Sequence, residues 1–221
     1  MPGCSFPAGQ AEGRRSVGSA ALAIRLLLSY ALVLCFAARY GRDFVEALLP
    51  VFQAVIVLLD VHYRILSLTI STEGADTVVR LMITLAQPIF LNGHLIMPDP
   101  RGWATVTTTI GTVLQIPLIS LGLIFAWPVR CLGEFLARLG IGLALLSIAM
   151  LLDTPFSLWA CLWDLHVHAF DPGRFSPLLI WQRSLMGGGR LAIGVALGVA
   201  SIALSQRRFW RALSTPLVPN V

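Results

Sequence analysis

Apolar residues run through this chain in long blocks that polar residues only briefly interrupt. Residues 20–38, 104–127 and 191–205 form long apolar stretches, and residues 139–152 form a shorter one. A hydrocarbon core about 30 Å thick takes roughly 20 apolar residues as helix, because no water is there to satisfy a bare backbone. Each block therefore predicts a bilayer-crossing helix. Residues 44–59 predict another, separated from the first by the polar turn 39–43 and ending at Asp60, His62 and Arg64.

Residues 71–101 follow a different pattern. Residues 75–86 show helical apolar spacing, but Glu73, Asp76 and Arg80 spoil it for lipid, and Pro88 stops it. Asn92-Gly93 between two apolar runs is a hairpin signal. The expectation is an amphipathic helix followed by a small hairpin near the membrane surface. The rival is a packed or re-entrant span.

Trp103 and Trp127 bracket the next predicted helix at about 36 Å, the separation of two interfacial aromatic belts. Its first half is rich in Thr (105, 107, 108, 109 and 112), and Pro117 predicts a kink. Residues 153–189 read as a polar, aromatic loop, and Gly187–Gly189 as a flexible joint. Gly140 with Gly142, and Gly194 with Gly198, predict close helix contacts.

The pattern predicts an all-α polytopic membrane protein, a bundle of about five to six transmembrane helices with a small extracytoplasmic hairpin/loop face. Residues 1–19 are expected as a disordered cytoplasmic tail, 20–206 as the transmembrane domain and 207–221 as a basic cytoplasmic tail. Arg207, Arg208 and Arg211 argue for a cytoplasmic C-terminus in a bacterial inner membrane. Placing Arg14 and Arg15 on the same side needs an even number of crossings, which residues 65–91 would have to complete.

Composition supports the membrane class: 57% of residues are hydrophobic, 12% are charged, and the mean hydropathy is +0.80. The net charge of +5 does not imply nucleic acid, because the basic residues stand in ones and twos at span ends. Cys4, Cys35, Cys131 and Cys161 show no C-x-x-C spacing, so neither a disulfide framework nor a zinc finger is expected.

The densest polar cluster is Asp164-Leu165-His166-Val167-His168. In an extended segment, alternation puts Asp164, His166 and His168 on one side, within reach of a copper or zinc ion. A polar rim beside interfacial Trp residues would use the same side chains. His94 on the same predicted face is a possible further ligand. Asp60, His62, Arg64 and Arg80 form a second charged set.

The order of segments over residues 71–205 resembles that of the exosortase/archaeosortase membrane transpeptidases. There a hairpin-like segment precedes a helix opening with Cys-Ser-Gly. A basic turn and a second helix ending at an Arg follow, and a His comes later. This chain departs from that pattern, with Thr109-Ile110-Gly111 at the first motif and Asp153 in place of the Arg. His166 or His168 remains for the last role. A Thr hydroxyl with no base beside it is a weaker nucleophile than a thiolate, and an anion replaces the cation that acyl transfer favours.

The resemblance thus implies a degenerate, non-catalytic relative: an accessory or scaffold in surface-protein sorting or a membrane complex, whose partner is another membrane protein such as an active exosortase. A metal-dependent or divergent membrane enzyme centred on Asp164, His166 and His168 is the second expectation. A small structural subunit of a larger membrane complex, docking through its glycine faces, is the third.

Overall fold

A computed structural model describes residues 19–214 of the chain, except 92, 100, 130 and 172. Of the tail expected at residues 1–19 all but Ser19, which is helical, lies outside them, as do residues 215–221, Asn92 and Arg130. Among the described residues there are five helices and two small sheets, in the order α1 (Ser19–Leu59), β1 (Tyr63–Glu73), β2 (Asp76–Leu85), β3 (Ile89–Leu91), β4 (His94–Ile96), β5 (Ala104–Thr109), α2 (Ile110–Ala126), α3 (Leu132–Phe170), α4 (Pro177–Ser184) and α5 (Arg190–Ser214). A single π turn, Leu185–Gly189, joins α4 to α5.

Helix α1 overturns the first expected boundary. Residues 39–43 are not a turn, and α1 runs unbroken for 41 residues, about 61 Å. Residues 39–43 hold no proline to remove a backbone donor, the helix continues through Pro50, and Gly41 packs closely under Leu114. Two expected spans are therefore one helix. Helix α3 likewise absorbs the short return helix and much of the expected loop 153–189, running 39 residues through Pro155. Its upper half stays helical because Leu158, Leu162 and Val167 are buried against the sheet.

The sheets correct the all-α expectation. Residues 75–86 form strand β2, not an amphipathic helix, with Val79, Leu81 and Ile83 buried at every second position. Residues 65–70 belong to β1 rather than to a membrane span. β2 is the central strand, antiparallel to β1 on one side and β5 on the other. The expected hairpin is present as β3–β4, with Gly93 at a φ of 79° that a side chain would resist. Residues 104–109 are strand β5, not the start of a helix, because Thr-Val-Thr-Thr-Thr is β-branched throughout. The chain becomes helical only at Ile110, where the Thr109 hydroxyl accepts from the Thr112 amide at 3.3 Å.

The elements form two tiers. In the first, α1 and α2 run antiparallel, with Ser29 Oγ donating to Gly122 O at 2.9 Å and Tyr30 OH to Ile119 O at 3.2 Å. Helix α5 lies beside α2, and Ser120 Oγ donates to Gly194 O at 2.9 Å. A Cβ on Gly194 would come within 2.9 Å of Ile119, and one on Gly198 within 3.0 Å of Leu123. Gly142 of α3 faces Ile124 and Ser201, whereas Gly140 faces open space. The glycines expected as docking faces, Gly140 excepted, therefore pack inside this chain. The second tier holds the upper halves of α1 and α3, the three-stranded sheet and α4, around a core that includes Leu81, Ile83, Leu158 and Leu162.

Three helical stretches, Ala21–Leu59, Leu132–Phe170 and Pro177–Gln206, are long and apolar enough to cross a membrane, and Ile110–Ala126 is a shorter apolar helix. The third stretch is bent at Gly188, whose φ is 114°.

Candidate functional site

Two polar constellations occupy the boundary and the far end of the second tier. The first joins α3 to α5. Arg190 Nε donates to both carboxylate oxygens of Asp153, at 3.2 and 2.9 Å, and a terminal nitrogen donates to Ser157 Oγ at 2.6 Å. All three side chains are buried. Asp153 and Ser157 lie one helical turn apart, so they present adjacent acceptors to a guanidinium fork from the neighbouring helix. Asp153 is thus paired with a buried cation, and the pair is close to neutral.

The second constellation lies where α1 gives way to β1. The Asp60 carboxylate accepts from the His62 amide at 2.9 Å, from His62 Nδ1 at 2.6 Å and from Trp159 Nε1 at 3.1 Å. Burial works to raise its pKa, but the His62 amide, the His62 ring and the Trp159 indole together outweigh it and leave the carboxyl below its usual range. A carboxylate only accepts, so His62 Nδ1 carries the proton of that bond, on a half-exposed ring.

Beside it, Tyr63 OH lies 3.3 Å from His166 Nδ1, which is also 3.0 Å from the Leu162 carbonyl. A carbonyl can only accept, so Nδ1 carries the proton and the tyrosine oxygen is a second acceptor. Burial, with Asp60's charge adding to it, pushes the Tyr63 hydroxyl well above its ordinary pKa. A cleft of about 220 Å³ opens here, lined among others by Tyr63, Thr84, Asp99, Trp103 and His166.

The sequence candidates do not converge. Thr109 pairs opposite Val78 and Tyr63 opposite Leu85, positions about 23 Å apart along β2 at about 3.3 Å per residue. Thr109, whose hydroxyl is spent on capping α2, and His166, which touches Tyr63, therefore sit at opposite ends of the sheet. Asp153 belongs to the ion pair with Arg190. Asp164, His166 and His168 lie on helix α3, not on an extended segment, so the two histidines diverge by about 200° around the axis. His166 is half-buried and His168 is exposed. Among the described residues, no group of three or more His, Cys, Asp or Glu is placed to hold a metal ion. Nor does any Ser, Thr or Cys among them hydrogen-bond to either His62 or His166.

Sequence reasoning missed Arg190, Trp159 and Tyr63 as partners. One signal was available: Arg190 opens an apolar run and Asp153 closes another, so each marks an end of a charge-free stretch. Cys161, half-buried, accepts from Gln182 Nε2 at 2.8 Å. Comparison with models of known families, with curated proteins and with solved structures finds no match for this chain.

Proposed function

We propose that the chain is a non-catalytic membrane scaffold that crosses the bilayer four times and presents its sheet tier to another membrane protein. The anchor is argued from charge. Residues 26–38, 110–126, 139–152 and 191–206 carry no Asp, Glu, Lys or Arg, and they lie side by side. Two buried arginine–carboxylate pairs bound this band. Arg138 with Glu134 at 2.7 Å closes one end, and Arg190 with Asp153 the other. Along α3 they lie about 22 Å apart, within what a locally thinned bilayer and flanking side chains accommodate. Four crossings return both basic termini to one side, the cytoplasmic side in this reading, so residues 65–91 need not enter the membrane.

The observation that carries the non-catalytic reading is the separation of Thr109 from His166, since acyl transfer needs nucleophile and base within hydrogen-bond reach. The sorting context rests on the resemblance of segment order, in which the client would be a membrane transpeptidase. The test is crosslinking in intact cells followed by mild solubilisation and sizing. Recovery bound to a membrane transpeptidase is the expected result. Recovery of the free monomer alone would count against the scaffold.

A further inference from the structure

Between α3 and α5, beneath α4, lies a cavity of about 480 Å³. Its floor is Ile116, its walls Ala149, Ile193 and Leu197, and its outer rim includes Ile148, Leu152 and Trp181. Ile148, Leu152 and Trp181 are each more than half exposed, so the cavity is open on the side that faces away from the bundle. The sole ionisable group in the lining is Asp153, and it is already neutralised by Arg190. Nothing in the wall therefore repels hydrocarbon or asks for water.

The volume falls in the ordinary range for a ligand site, roughly 300–1,000 Å³. It is too small for a helix. From Leu145 to Phe156 the groove runs about 16 Å along α3, and a helix of that length and about 10 Å diameter fills about 1,200 Å³. One thin apolar chain fits where a helix does not. The cover is joined through glycines: Trp181 and Leu185 belong to α4 and the π turn, which meet α5 through Gly187–Gly189. Gly188 already holds the left-handed φ of 114° that only glycine adopts readily.

We propose that this groove binds one acyl chain of a bilayer phospholipid, with α4 as its cover and Gly187–Gly189 as the hinge. The proposal rests on the four-crossing reading, which puts the groove at the depth of lipid tails. A chain lying in it exchanges other tails for close contact with Ile116, Ile193 and Leu197, and its polar end leaves at the level of Arg190 and Trp181, where interfacial aromatics sit. Bound lipid holds α4 down against α3 and so couples the membrane band to the tier above it.

The test uses the full chain in nanodiscs containing phosphatidylglycerol with a diazirine in the middle of one acyl chain. After irradiation, adducts are mapped by mass spectrometry. Adducts concentrated on Ile148, Leu152 and Trp181, above those on Leu27 and Leu28, which are the more exposed, are the expected result. Ala149→Trp should remove most of the groove adducts, because the indole occupies the space the chain would take, and leave those on Leu27 and Leu28 unchanged. Should that variant not fold, Ile193→Phe fills the same space from the facing helix. Adducts spread evenly over all lipid-facing leucines would overturn the acyl site while leaving the four crossings standing. Adducts on Leu27 and Leu28 but none in the groove would also overturn it, with the four crossings still standing. No adducts on the band at all would overturn the bilayer placement, and the acyl site with it.

Discussion

The two tiers solve the same packing problem by opposite means. In the charge-free band, helices meet through small residues and through serine and tyrosine hydroxyls bonded to carbonyls of the next helix, as at Ser29, Tyr30 and Ser120. There is no water to exclude in a bilayer, so close approach and satisfied polar groups must supply the association. In the sheet tier, large side chains do the work: Leu81, Ile83, Leu158 and Leu162 are essentially fully buried, each worth about 1.5–3 kcal/mol if removed from water. Sensitivity to substitution should therefore differ in kind, with the band intolerant of bulk and the sheet tier intolerant of truncation.

The largest effect is expected at the joint between the tiers. Asp153→Leu leaves Arg190 buried without its carboxylate, and breaking such a pair costs about 3–5 kcal/mol. Thermal unfolding in detergent should show a marked loss for the single variant. Asp153→Leu combined with Arg190→Met should recover most of it, because the cost is that of an orphaned charge rather than of lost attraction. If the double variant is as weak as the single, the pair is not the unit of stability.

Next comes bulk in the band. Gly198→Leu should destabilise by about 1–3 kcal/mol, because Leu123 and the Ser120 carbonyl leave no room for it. Gly140→Leu, which meets nothing within 4 Å, should be near neutral in the same assay. Equal losses at both positions would remove the distinction between a packed and an open glycine.

What could be read from the sequence follows the same division. The apolar runs of the band were legible because lipid imposes one-dimensional composition on each helix, and Asn92-Gly93 announced its hairpin locally. Helix continuity was not legible. Arg39–Asp43 looks like a turn by polarity, yet a helix leaving a membrane can carry charges on its exposed face without stopping. Asp153, Thr154 and Pro155 likewise suggested a break, but the apolar spacing of Leu158, Leu162 and Val167 sustains the helix against a sheet that the sequence did not reveal. Residues 76–85 were misread because Val78, Val79 and Met82 fit a helical stripe as well as a strand. Pairing with β1 and β5, a long-range fact, settled it. The distance between Thr109 and His166 was illegible for the same reason: their order along the chain does not give the register of β2, which sets them far apart.

A smaller, pH-dependent effect belongs to the far end of the sheet tier. Tyr63 has its pKa raised on folding by burial and by Asp60, so the stability it contributes is complete below about 10 and is lost as pH climbs above that. Asp60 has its pKa lowered, so its contribution is complete above about 4 and lost as pH falls through the lowered value. Tyr63→Phe should flatten the alkaline limb of stability against pH, and Asp60→Asn the acid limb. A variant that leaves its own limb unchanged would show that the cluster opens before it titrates.

The smallest effect sharpens the contrast most. Glu73 and Arg80 in the sheet form a pair at 2.7 Å, shorter than the 2.9 Å of Asp153 with Arg190, but both side chains are more than a third exposed. Distance alone would rank the sheet pair as the stronger. Solvent reverses the order, because water and salt screen an exposed pair and rehydrate whichever partner is left behind. Glu73→Gln should therefore change stability by about 0–1 kcal/mol, and raising the salt concentration should shrink even that. The Asp153→Leu loss should persist in high salt, since no ion reaches a buried guanidinium. If both variants respond alike to salt, the Arg190 site is wetter than its burial implies, and the boundary of the charge-free band lies below it rather than through it.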